Sequence, residues 1–360
     1  MGILNDKIDR SWIDKFDKPF IISGPCSAES EKQILDTAYE LDKSYVQVFR
    51  AGIWKPRTKP GNFEGIGKNG LKWLNKVQKY TRLMVATEVA NAEHVNLCKS
   101  HGIDILWIGA RSTTSPFIVQ EIADALEGDD QIIVLVKNPI HPDIELWLGA
   151  IERLYKKGIR KLGLIHRGFF TYKSIKYRNQ PNWKLILDIK NYIPRIPILC
   201  DPSHICGNKD RIFDVAKKSL NYFSCDGLMI ESHCDPNQAW SDSKQQITPK
   251  VLLKLLEEIF IKQKQSELKY KKNLYSLRIL IDELDENLIS ILSERMNISK
   301  KLGILKNTSD VDILQPNRWK SVMEQSINLG KNLGLSEDFL ERIFNLLHKE
   351  SIKIQNKINE

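Results

Sequence analysis

The sequence predicts a (β/α)8 barrel followed by a small all-helical domain. Three observations carry that prediction. Eight short β-rich runs recur between Pro19 and Ser232, a helix-length segment separates each run from the next, and beyond residue 273 the strand signal stops and a 3–4 apolar spacing takes over.

The runs are FIISG (20–24), VQVFR (46–50), LMVATE (83–88), DILWIG (104–109), IIVLVK (132–137), KLGLIH (161–166), PILCD (197–201) and LMIES (228–232). Strands rich in Val, Ile and Leu that alternate with helices are parallel and buried on both faces. Eight such units in roughly 230 residues fit a closed barrel. A doubly wound open sheet is the runner-up, and the count of eight disfavours it. The barrel domain is expected over residues 1–261. The charged stretch KQKQSELKYKKN (262–273) reads as a linker. The helical domain then covers 274–360. There the apolar residues fall at 274, 277, 281, 284, 288 and 291, then at 298, 302 and 305, as on an amphipathic helix or coiled-coil-like seam. Arg295 takes the next place in that rhythm. Residues 317–330 and 336–358 also read as helical.

Composition bounds the function. A chain of 360 residues with 42% hydrophobic and 28% charged residues is long enough for two soluble domains. No apolar run reaches the roughly 20 residues of a membrane helix, so no membrane partner is expected. The opening MGILNDKIDR lacks the apolar core of a secretory signal. Six cysteines are too sparse for a disulfide scaffold of this size, which points to the cytoplasm. The net charge of +9 suits either nucleic acid or small anions. Nothing resembles a zinc finger, an RNA-recognition motif or a basic zipper, so no nucleic-acid partner is expected.

Barrel enzymes carry their chemistry at the C-terminal ends of the strands. The residues following the runs are GPCS (24–27), RAG (50–52), EVAN (88–91), GARS (109–112), KN (137–138), HRG (166–168), DPSH (201–204) and ESH (231–233). Any one of these reads as an ordinary turn. Eight together concentrate unusual charge on one mouth. Arg50, Lys55, Arg57, Arg111, Lys137 and Arg167 would repel one another around an empty cleft, and they make sense around phosphate and carboxylate. Singly, each reads as a surface ion pair. Cys26, His204, Glu231 and Asp242 share the rim. Thiolate, imidazole and two carboxylates suit a borderline divalent ion such as Mn, Fe, Co or Zn. Alone, Cys26 reads as a small buried residue and His204 as a polar core or surface residue. The other five cysteines read as structural.

Residues 19–250 resemble 3-deoxy-D-arabino-heptulosonate 7-phosphate (DAHP) synthases of the short, barrel-only type. The resemblance rests on GPCSAES (24–30), FRAGIWKPRTKP (49–60), IGARST (108–113), VLVKNP (134–139), LIHRGF (164–169), DPSH (201–204), IESHCDP (230–236) and SDSKQQITP (241–249). It implies that Cys26, His204, Glu231 and Asp242 ligate a divalent metal. It also implies that Arg50, Lys55, Arg111, Lys137 and Arg167 hold phosphoenolpyruvate, and that Lys55, Arg57 and Thr58 meet erythrose 4-phosphate. Lys55 is the expected proton donor, with a metal-bound water as an equal candidate. A related synthase uses arabinose 5-phosphate on the same barrel. The KPRT segment (55–58) favours the erythrose 4-phosphate enzyme. The metal-independent branch of that rival has Asn where Cys26 stands, so Cys26 favours metal dependence.

In the helical part, Arg295 and Lys306 nearly share a face at 100° per residue. Arg278 and Lys306 lie about 42 Å apart along one helix. A small ligand touching both therefore needs two chains. Singly, Arg278 reads as a solvated helix charge. Residues 274–358 resemble the all-helical chorismate mutases through LRILIDELDENLISILSERMNISKKLGILK (277–306). By that resemblance Arg278, Arg295, Lys306 and Gln355 are catalytic, Arg318 and Ser351 bind substrate, and the protein is an intertwined homodimer or a higher homo-oligomer. Two positions depart from the pattern. Trp319 stands where many relatives have a carboxylate, and Gln315 replaces an acidic residue. These departures favour an alternative in which the helical domain only senses prephenate or chorismate. A third possibility, a basic binding module, fits poorly because the cations lie within an apolar seam.

Overall fold

The structure is a computed structural model and describes residues 8–55, 61, 63–172, 176–263, 269–309 and 311–357. It divides into two compact units, with the boundary between Leu277 and Arg278.

The first unit is a closed parallel barrel. Its strands are β1 (Phe20–Gly24), β2 (Val48–Arg50), β3 (Met84–Val89), β4 (Ile105–Ile108), β5 (Ile133–Lys137), β6 (Leu162–His166), β7 (Ile198–Cys200) and β8 (Gly227–Glu231). They pair in chain order, and β1 closes the ring on β8 from Phe20↔Gly227 to Gly24↔Glu231. Each strand falls on one of the eight expected runs, to within a residue, and the closed ring excludes the open-sheet alternative. The barrel helices are α1 (Ser11–Asp14), α2 (Glu31–Asp42), α3 (Asn69–Tyr80), α4 (Ala92–Ser100), α5 (Ala110–Thr113), α6 (Pro116–Ala125), α7 (Ile144–Lys156), α8 (Trp183–Tyr192), α9 (Pro202–Cys206), α10 (Ile212–Asn221) and α11 (Pro249–Gln263).

Side-chain alternation fills the barrel. Phe20, Ile22, Val48, Ala86, Ile105, Trp107, Ile133, Leu135, Ile165, Leu199 and Met229 form one buried cluster, with alternate strand positions facing inward. Burying a side chain of this size contributes about 1.5–3 kcal/mol. The N-terminal end is stoppered by α1, whose Trp12 meets Phe20 edge-on at 5.3 Å. Gly163 of β6 makes that plug fit, since a Cβ there would lie 2.8 Å from Leu135 and 3.3 Å from the Trp12 ring. In barrels of this kind the chemistry lies at the opposite mouth, where the strands end. Local caps fix the helices beyond that mouth. Ser30, Asn91, Ser115 and Asp143 each accept a backbone N–H at the start of α2, α4, α6 and α7.

Two further helices, α13 (Pro316–Asn332) and α14 (Glu337–Asn356), follow α12 (Lys269–Thr308). Of the expected linker, residues 264–268 lie outside the described residues. Residues 262–263 close α11 and 269–273 open α12. No helix among the described residues is long and apolar enough to cross a membrane.

Candidate active sites

The strand ends deliver their polar residues to one mouth. Cys26 follows β1, Arg50 ends β2, Arg111 lies in α5 after β4, Lys137 ends β5, Arg167 follows β6, and Glu231 ends β8. Cys26, Arg50, Lys137 and Glu231 are buried, while Lys55, Arg167, His204 and Asp242 are half-buried and Arg111 is exposed. Arg57 and Thr58 lie outside the described residues.

Asp201 organises one side. It caps α9 by accepting the His204 N–H at 3.1 Å. Its other oxygen accepts a bond from Lys137 Nζ at 2.9 Å and lies 2.8 Å from His204 Nδ1. The DPSH sequence thus aims an imidazole into the mouth, with Pro202 opening the helix. His204 Nε2 lies 3.7 Å from Glu231 Oε1, and Arg50 Nη1 lies 3.4 Å from the same oxygen. That Glu231 oxygen is buried and accepts no hydrogen bond. Its twin accepts from Gln245 at 2.7 Å. On the other side, Cys26 Sγ lies 3.4 Å from Asp242 Oδ2, and Lys55 Nζ lies 3.1 Å from the same sulfur. Arg178 ties Asp242 to Gln245, at 2.9 Å to each.

The predicted ligands therefore stand as two pairs, Cys26 with Asp242 and His204 with Glu231. Among the described residues no three His, Cys, Asp or Glu side chains form a ready metal cage. The electrostatics favour a cation nonetheless. Burial resists ionisation of Asp242, but His204 and Arg178 override it and hold that carboxyl well below its ordinary range. Glu231 is also held low, with burial opposed by His204, Arg50 and Lys55. Burial pulls the His204 pKa down, against the raising effect of Asp201 and Glu231, and so favours the neutral imidazole that ligates a metal. Burial and the Glu231 charge push the Cys26 thiol up to about 11. A divalent ion reverses that last effect, because coordination deprotonates a thiol outright. An orphaned buried carboxylate oxygen and this donor set fit a borderline divalent metal.

The cations show the complementary strain. Burial, together with the charges of Arg178 and Arg111, lowers Arg167 to about 10 against the opposing pull of Asp201. Arg50 Nε and Nη1 are buried without a hydrogen-bond acceptor. Phosphate and carboxylate are the kinds of acceptor that suit such guanidinium nitrogens. Sequence reasoning missed Trp107, Glu88, Arg178 and Gln245. Trp107 sits inside a β-run and reads as a strand residue, and Glu88 appears only within LMVATE (83–88) and EVAN (88–91), with no role of its own. Arg178 sits late in the loop after β6, twelve residues past the strand end at His166. Gln245 was quoted only as part of a motif.

In the second unit, Arg295 donates to Ser351 Oγ at 2.6 Å and to the Leu347 carbonyl at 3.2 Å. Ser299 donates to Ser351 at 3.3 Å. Gln355 lies one turn beyond Ser351, and its buried Oε1 has no partner. Lys306 is buried and donates to the Ile313 carbonyl at 2.7 Å. Arg318 is exposed on α13. Arg278 is 17 residues before Arg295 on α12, about 26 Å by helical rise. One chain thus joins Arg295 to Ser351 and keeps Arg278 distant. Trp319 stacks on His348 at 3.9 Å and 11°. Burial lowers the His348 pKa, and the charges of Arg295 and Lys306 lower it further.

A closed parallel barrel that gathers cations and a thiol–imidazole–carboxylate cluster at its C-terminal mouth has the arrangement of a barrel enzyme. Residues 9–269 match the DAHP synthetase I family, and the chain belongs to that family. Residues 277–356 match chorismate mutase type II. The phospho-2-dehydro-3-deoxyheptonate aldolase of Thermotoga maritima is 30% identical over 239 residues, 66% of this chain and 68% of that protein. A crystal structure of the DAHP synthase from that organism superposes with a TM-score of 0.60 at 28% identity, covering 67% of each chain. The bifunctional chorismate mutase/prephenate dehydratase of Buchnera aphidicola is 30% identical over 88 residues, 24% of this chain and 23% of that protein. The chain is therefore an enzyme that fuses a transferase of the DAHP synthase type to an isomerase domain of the chorismate mutase type.

Proposed function

We propose that the barrel condenses phosphoenolpyruvate with erythrose 4-phosphate in a metal-dependent reaction, and that the helical domain rearranges chorismate to prephenate within a homodimer. The observation that carries the first half is the pair of buried cations Arg50 and Lys137 beside Cys26, His204, Glu231 and Asp242 at one barrel mouth.

Arg50, Lys137 and Arg167, with Arg111, hold the phosphate and carboxylate of phosphoenolpyruvate through charge-assisted hydrogen bonds. Lys55, Arg57 and Thr58 hold the sugar phosphate. The four ligating residues would hold Mn, Fe, Co or Zn, which supplies Lewis acidity toward an aldehyde oxygen. C3 of phosphoenolpyruvate bonds to the aldehyde carbon, water adds at C2, and phosphate leaves. Lys55 Nζ, 3.1 Å from the Cys26 sulfur, gives a proton to the new alkoxide. All six cysteines are free thiols, which supports a cytoplasmic setting.

For the mutase, Arg295, Arg318 and Ser351 hold the substrate carboxylates, and Lys306 and Gln355 face the ether oxygen. The reaction needs only a compact conformer and stabilised charge. Arg278 reaches the site from a second copy. Exposed Leu277, Ile281, Leu284, Leu288, Ile291, Ile298, Leu302 and Leu305 on α12 support pairing along that helix. The Trp319–His348 stack favours a second reading, in which this site binds chorismate or prephenate and only regulates the barrel.

Two assays on one purified sample test both halves. Phosphoenolpyruvate should disappear with erythrose 4-phosphate but not with arabinose 5-phosphate, and chorismate should be consumed in a separate cuvette. Turnover with arabinose 5-phosphate alone would overturn the sugar assignment. Persistent chorismate would leave the regulatory reading.

A further inference from the structure

Trp107 lies on β4 at the top of the packed barrel interior and is fully buried. Its neighbours are not those of an ordinary core tryptophan. The Arg50 guanidinium carbon lies 4.7 Å from the ring centroid, and Lys137 Nζ lies 5.8 Å from it. The indole N–H donates to Glu88 Oε2 at 2.8 Å. Gly109, two residues on, makes room for that carboxylate, because a Cβ there would collide with Glu88 Oε1. Glu88 therefore has a built place at the ring edge.

Cations gather against the electron-rich face of an indole, most strongly when desolvated. Here the two cations are 1% and 4% exposed. Their carboxylate partners are shared. Glu231 also faces His204 and Gln245, and Asp201 also serves His204. A further carboxylate against Arg50 or Lys137 would hold them more firmly, but it would repel an arriving anion. The indole face attracts both without adding charge. A carboxylate on the N–H, at the far edge of the ring, makes that face more negative.

We propose that Trp107 is a positioning residue for phosphoenolpyruvate, its indole face holding Arg50 and Lys137 at the floor of the cleft without adding a further negative charge beside them. This inference rests on reading the mouth as a phosphoenolpyruvate site.

The test compares Trp107→Leu and Trp107→Phe with the wild-type full chain in initial-rate assays with Mn, phosphoenolpyruvate and erythrose 4-phosphate. Circular dichroism checks the fold of each sample. Loss of two buried cation–π contacts should raise KM for phosphoenolpyruvate about tenfold in Trp107→Leu. On the same grounds kcat and KM for erythrose 4-phosphate should stay within about threefold. Trp107→Phe keeps a ring face and should recover most of the loss. Should Trp107→Leu not fold, Trp107→Met fills the space with a flexible, ringless chain and makes the same comparison. An unchanged KM in the ringless variant, or an equal rise in the Phe variant, overturns this inference alone. A wild type that does not consume phosphoenolpyruvate with erythrose 4-phosphate overturns the parent reading, and this inference with it.

Discussion

Single residues set the charge balance at the barrel mouth, and His166 shows how far burial can push one. It ends β6 on the outward side, 5.3 Å from the Trp183 ring and 5.9 Å from Phe169. Burial lowers its pKa to about 3, with Asp201 opposing and Arg167 assisting. The folded chain therefore keeps His166 neutral, whereas the unfolded chain protonates it near about 6.5. The sign follows. This contribution to stability is fully present above about pH 6.5 and is lost as pH falls toward about 3, at up to about 1.4 kcal/mol per pH unit. His166→Gln should lose that part of the slope. Urea unfolding followed by tryptophan fluorescence between about pH 7.5 and about pH 5 checks it. Parallel curves for variant and wild type would contradict the account. At this scale the sequence was informative where residue type alone carries chemistry. Cys26, Arg50, Lys137, His204 and Glu231 could be singled out because charged or ligating residues follow strand ends. Trp107 could not, because an apolar ring inside a β-run looks like core, and it is core. Only the cations above it reveal a second role, and they come from β2 and β5, distant in sequence.

Secondary elements were legible where periodicity is strong. Six strands lie within their β-rich runs, β3 and β8 run one residue beyond theirs, and α13 and α14 cover nearly the segments expected to be helical. The short pieces were not. The four residues of α1 and the five of α9 are too brief for a pattern, and their places depend on Gly163 and Asp201, which act across the fold. Helix α12 was legible in the sequence as an apolar stripe, and in one chain that stripe stays exposed, with Leu284 at 66% and Leu288 at 53%. Isolated apolar residues on a surface are ordinary, but a continuous helical row calls for a partner. A Leu284→Lys substitution should shift the protein from dimer to monomer in light scattering at micromolar concentration. It should also remove mutase turnover, since Arg278 then has no second chain to serve. Condensation by the barrel should survive. A dimer unaffected by Leu284→Lys, with full mutase turnover, would contradict pairing along α12.

At the scale of the whole molecule, two matched families stand in one chain, residues 9–269 and 277–356. Their sites differ in physical kind. The barrel site sets two carboxylates with lowered pKa values, an imidazole whose pKa is also lowered and a thiol pushed up to about 11 beside the buried cations Arg50 and Lys137. The helical site has cations, a hydroxyl and an amide, and among the described residues no ligating cluster surrounds them. Metal should therefore matter to one activity and not to the other. The direct measurement is phosphate release from phosphoenolpyruvate and erythrose 4-phosphate by EDTA-treated enzyme, before and after Mn is restored, with Cys26→Ala in parallel. The account predicts a wild type that is silent after EDTA and recovers with Mn, and a Cys26→Ala variant that stays at least about a hundredfold below it, as expected when a first ligand is lost. Full turnover in EDTA, or a Cys26→Ala variant as active as wild type, would contradict it.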